Sequence, residues 1–82
     1  MEETLLAAGQ RLLDGKKPEQ ALALFRLDAE ANPHSYNAHF AVGAALLRMG
    51  DREQAARNFE KALELNPKSY EASEGLKEAR RK

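Results

Sequence analysis

The chain has 82 residues, 43% hydrophobic and 32% charged, and its 13 basic and 13 acidic side chains cancel to a formal net charge of zero. That balance argues against a nucleic-acid or anionic-membrane binder, and the hydrophobic content argues against disorder. The absence of cysteine excludes disulfides and thiolate chemistry. No apolar run approaches the ~18 residues of a membrane span, and Gln10 and Arg11 interrupt any signal-peptide core. One small soluble domain, cytoplasmic in location, is expected.

Leu5, Ala8, Leu12 and Leu13 recur at helical spacing and predict a first helix. Lys16-Lys17-Pro18 breaks it, and Pro18 suits the first turn of a second helix. That helix carries Ala21, Leu24, Phe25 and Leu27 and must stop before Pro33. Ser35 can cap a third helix bearing Phe40, Gly43, Leu46 and Leu47. Gly50-Asp51 makes the next turn, and Asp51 with Gln54 fits a capping box. The fourth helix holds Ala55, Phe59, Ala62, Leu63 and Leu65 and ends before Pro67. Ser69 can cap a fifth, built from Tyr70 to Lys82, with Ala72, Leu76 and Ala79 as its core contacts. No segment alternates with the period of two that a strand requires.

A shift of the chain by 34 places against itself superposes Gly9 on Gly43, Leu12-Leu13 on Leu46-Leu47 and Glu19-Gln20-Ala21 on Glu53-Gln54-Ala55. It also superposes Phe25 on Phe59, Asn32-Pro33 on Asn66-Pro67 and Ser35 on Ser69. Twelve of the 34 positions from Glu2 to Ser35 are identical in this register, where average composition predicts about two. The chain therefore divides into a unit at 2–35, a second at 36–69 and a remainder at 70–82, forming one domain over 1–82.

Period and positions together resemble the tetratricopeptide repeat (TPR). In the second unit Gly43, Ala55, Phe59, Ala62 and Pro67 stand at the family's small, small, aromatic, small and proline positions, and Gly9, Ala21, Phe25 and Pro33 match in the first. His39 departs from the usual aromatic residue. Asp28 replaces a small apolar one, which places a carboxylate at a helix seam or marks an edge near solvent. The resemblance implies an all-α solenoid of stacked antiparallel helix hairpins. About five helices would wind into a right-handed superhelix, first helices on the concave face and second helices on the convex face.

The family resemblance also implies a non-catalytic module that binds a protein or peptide in its concave groove. Carried over, the groove positions are Glu3, Leu6, Gln10, Leu13 and Asp14, then Asn37, Phe40, Ala44, Leu47 and Arg48. They form a stripe that is apolar at its centre, as binding surfaces often are. Alternatively, Phe40 and Leu47 are extra core beneath the last helix. The carboxylate clamp of chaperone-binding relatives is absent, because its positions carry Leu6, Gln10, Ala41, Glu71 and Gly75.

Leu24 and Leu27 stand where the second unit has Asn58 and Lys61. They are expected on one side of the second helix and suggest self-association, so a homo-oligomer is one expectation. A second functional reading is a self-associating structural unit, or a tail that docks on a larger protein such as a hydrolase. The charged last helix reads as a solvating cap. Arg80-Arg81-Lys82 suits a helix C-terminus better than a nucleic-acid tail. His34 and His39 lack the spacing of zinc ligands on one helix face, and no nucleotide-binding or nucleophile motif occurs. No catalytic residue, metal or cofactor is expected.

Overall fold

The computed structural model describes residues 4–81. They form five helices: α1 (Leu5–Asp14), α2 (Pro18–Ala31), α3 (Tyr36–Arg48), α4 (Arg52–Leu65) and α5 (Tyr70–Arg80). Each helix packs on the next, and α3 also touches α1 and α5. The fold is all-helical, with helix hairpins stacked over extents of 38 × 25 × 18 Å.

Local chemistry sets the helix boundaries. Thr4, Ser35 and Ser69 accept hydrogen bonds from the backbone N–H groups of Ala7, Ala38 and Ala72 at 3.0, 3.2 and 3.0 Å. These bonds satisfy donors that a helix N-terminus leaves free. Helix α2 has no side-chain cap and begins with Pro18 instead, whose missing N–H costs nothing there. At the C-termini of α2 and α4, the N–H groups of Asn32 and Asn66 close back on the carbonyls of Asp28 and Ala62, both at 2.8 Å. The prolines that follow prevent continuation. Asp28 is half-buried, and its carboxylate accepts from the Asn32 side chain at 3.0 Å.

The capping box at Asp51 forms only in part. Asp51 accepts from the backbone N–H of Gln54 at 3.2 Å. The Gln54 side chain, however, donates to the Asp51 carboxylate at 2.9 Å rather than reaching back to its N–H. That N–H is already spent, because it donates to the Leu46 carbonyl at 2.9 Å to close the preceding turn. Lys17 donates to Leu12 in the matching turn of the first unit, also at 2.9 Å.

Those two turns differ in one respect. Gly50 has φ of 87°, and its counterpart Lys16 has φ of 63°. A side chain in this left-handed region is strained by crowding of its Cβ against the backbone. The Lys16→Gly variant removes the clash but loosens the unfolded chain. It should raise the unfolding free energy by about 0.5–1 kcal/mol, read as a higher urea midpoint at unchanged slope.

The core is made of alanines at close approaches and aromatics between hairpins. Ala21, Ala38, Ala45, Ala55, Ala62 and Ala72 are 0% exposed, and Phe25 and Phe59 are 1% exposed. A Cβ on Gly43 or Gly75 would lie 2.9 or 2.7 Å from the Phe59 ring. That ring is therefore clasped between α3 and α5. At the far end, Arg80 of α5 pairs with Glu60 of α4 at 2.9 Å.

Candidate functional site

Helices α1 and α3 lie side by side, and a concavity of about 440 Å³ opens between them. Thr4, Leu6, Ala7 and Gln10 line one wall, Asn37, Phe40, Ala41 and Ala44 the other, and Phe25 of α2 also contributes. The stripe arises because the groove residues of α1 and α3 recur every three to four positions and so share a helix face. None of the described residues that line it is charged. Its walls offer aliphatic and aromatic surface with amide groups on Gln10 and Asn37. This is the chemistry that grips an apolar side chain while hydrogen-bonding a peptide backbone.

Phe40 is held from two sides. Its ring stacks on Tyr36 at 5.8 Å and meets Phe59 edge-on at 5.6 Å. Tyr36 is in turn tethered by a hydrogen bond between its hydroxyl and Ser69 Oγ, which crosses from α3 to the start of α5. Phe40 stays half-buried while packing on the core. It is both the outermost core side chain and part of the groove wall. His39 Nε2 donates to the Pro33 carbonyl at 2.7 Å, which ties the start of α3 to the turn before it.

The concavity gathers Leu6, Gln10, Asn37, Phe40 and Ala44. Leu13 is elsewhere: it is 3% exposed and belongs to the core. With Lys16, Pro18 and Arg48 it lines a separate depression of about 240 Å³ at the C-terminal ends of α1 and α3. Leu47 is half-buried and packs on the core. Asp14 is exposed and accepts from Gln10 Nε2 at 3.0 Å. Glu3 lies outside the described residues.

The 34-residue register extends this stripe into α5. Glu71, Glu74 and Glu78 stand at the positions of Asn37, Phe40 and Ala44 and are all exposed. Glu74 pairs with Lys77, and Glu78 with Arg81, both at 3.3 Å. The stripe thus runs from apolar on α1 and α3 to acidic on α5. The same offset that reveals the repeat would have shown this from sequence.

Among the described residues, no helix is long and apolar enough to cross a membrane, and no group of three or more His, Cys, Asp or Glu side chains could hold a metal. Residues 36–69 match the family model described as tetratricopeptide repeat. No curated protein matches the chain.

Proposed function

Starting from a chain that folds as a TPR protein, we propose that it is a non-catalytic interaction module. Its groove between α1 and α3 takes an extended segment of a partner protein. TPR repeats are in general protein–protein interaction modules. The observation that carries the reading is the concavity of about 440 Å³ walled by Leu6, Phe40 and Ala44, whose described lining residues carry no charge. Such a cleft suits one or two apolar anchor side chains, with Gln10 and Asn37 set to hydrogen-bond the backbone beside them. The glutamates at the equivalent positions of α5 favour a basic residue on the part of the segment that passes over α5.

Selection from a random peptide library tests this directly. Enriched peptides should carry an apolar anchor flanked by Lys or Arg. Filling the cleft with Ala44→Arg should weaken a selected peptide about tenfold or more, equivalent to about 1.4 kcal/mol. Glu74→Lys with Glu78→Lys should remove the preference for basic flanks and spare the anchor. If selected peptides bind the Ala44→Arg variant as well as the parent, the groove is not the site.

A further inference from the structure

The smaller depression at the C-terminal ends of α1 and α3 is built unlike the concavity beside it. Leu13, 3% exposed, and Pro18, half-buried, form its floor, and the exposed Lys16 and Arg48 stand at its rim. Elsewhere the cations are matched: Arg57, Lys61, Lys77, Arg80 and Arg81 each pair with a glutamate. Lys16 and Arg48 form no ion pair or side-chain hydrogen bond with a described residue. The acidic residues nearest to them in sequence do not line the depression. Asp14 accepts from Gln10 Nε2 at 3.0 Å, and Asp51 caps α4.

Two features suit this place to an anion. Helix C-termini ordinarily repel one, through carbonyls left without a partner. Here those carbonyls are engaged: Leu12 and Leu13 accept from Lys17 and Lys16 at 2.9 and 3.1 Å, and Leu46 and Leu47 from Asp51 and Gly50 at 2.9 and 3.1 Å. The second feature is strain. Lys16 holds φ of 63° where the equivalent turn of the second unit has Gly50. A cation thus occupies a position at which glycine would be the more stable residue, and strain of this kind concentrates at binding sites.

The depression also continues the groove. On α1, Leu6, Gln10 and Leu13 follow one another at spacings of four and three, and on α3 Ala41, Ala44 and Arg48 do so at three and four. Each set shares a helix face. Leu6, Gln10, Ala41 and Ala44 line the concavity, and Leu13 and Arg48 line the depression. From Ala44 to Arg48 the helix rises about 6 Å, which two residues of extended chain span at about 3.3 Å each.

We infer that this depression takes a glutamate side chain of the partner segment, two or three residues from the apolar anchor. The anchor's place rests on the groove reading above. Charge complementarity names the occupant: the carboxylate meets Lys16 and Arg48, and its two methylenes lie on Leu13 and Pro18. One flank of the segment follows the seam of α1 and α3 to these cations. The other crosses α3 toward the glutamates of α5, so acidic and basic residues fall on opposite sides of the anchor.

The random library, followed by fluorescence anisotropy with end-blocked synthetic peptides, tests the inference. Selected peptides should carry Glu two or three residues from the anchor, on the side away from Lys or Arg. Changing that Glu to Gln should weaken binding to the parent about threefold to tenfold, and added salt should shrink the difference. The double variant Lys16→Gly with Arg48→Gln should no longer distinguish the two peptides. Lys16→Gly alone should lose part of the preference while its urea midpoint rises, a pair of opposite effects that a damaged fold cannot produce. Equal binding of the Glu and Gln peptides by the parent overturns the inference, as does a library that enriches nothing. So does a free-acid peptide ending at that place that outcompetes the Glu peptide, because the occupant is then a chain end. Ala44→Arg separates the two readings. If it binds as the parent does and keeps the Glu preference, the groove reading fails and the acidic site stands; if it loses binding and the parent shows no Glu preference, the reverse holds.

Discussion

Phe59→Ala is expected to lower the free energy of unfolding by about 3–5 kcal/mol, the largest effect of any single substitution considered for this chain. The Phe59 side chain is 1% exposed. Ideal Cβ positions on Gly43 and Gly75 fall 2.9 and 2.7 Å from its ring, and Phe40 meets its edge at 5.6 Å. The ring thus joins three helices, α3, α4 and α5, and glycine backbones cannot collapse into the space it leaves. Both the transfer term and the cavity term should be near their full size. Natural domains hold only about 5–15 kcal/mol in total, and a chain this short is expected near the lower end. The variant should therefore lose much of its cooperative melting transition. Phe59→Leu should retain a measurable transition between those of the alanine variant and the parent. Under the proposed groove reading, the loss should also weaken peptide binding, because Phe40 lines the concavity and rests on Phe59. A cost under about 1 kcal/mol, within the range of ordinary surface changes and mild core swaps, would contradict the clasped packing.

Gly9→Ala is the second large effect. Alanine is the better helix former by about 1 kcal/mol, so on propensity alone the change stabilises α1. Packing reverses the sign. The new Cβ would lie 2.3, 2.7 and 2.9 Å from three ring atoms of Phe25, which is itself 1% exposed. Either the ring leaves its rotamer or α1 and α2 separate, and overpacking of this kind costs about 1–3 kcal/mol. Denaturant unfolding should show a net loss. In a double-mutant cycle with Phe25→Leu, the alanine should cost less than in the parent, because the atoms it strikes are gone. Gly43→Ala, with a closest approach of 2.9 Å to Phe59, should cost less than Gly9→Ala.

Both predictions begin from residues that sequence alone could nominate. The glycines and phenylalanines recur at a 34-residue offset, so that a small residue faces a large one in each unit. The register also brings Leu6, Gln10, Asn37, Phe40 and Ala44 onto one stripe, and these five line the concavity. Other residues were legible only in part. Leu13 and Leu47 are the same residue at the same repeat position, yet Leu13 is 3% exposed and Leu47 is half-buried. Leu13 joins the main core cluster and meets Lys16, Pro18 and Arg48 around one depression, a setting that its repeat position does not announce. Leu24 and Leu27 were legible as unusual, but not how far each is covered: Leu27 is 53% exposed, whereas Leu24 is half-buried.

Helix boundaries, caps and the repeat itself were thus set by the sequence, because prolines, capping side chains and apolar spacing act on neighbouring backbone within a turn or two. The strain at Lys16, the divided use of the Asp51 cap, the burial of Leu13 and the differing exposure of Leu24 and Leu27 were decided only by the tertiary structure. The first two depend on how a turn closes between two packed helices, and the last two on which surface a further helix covers, a long-range fact that no local pattern encodes.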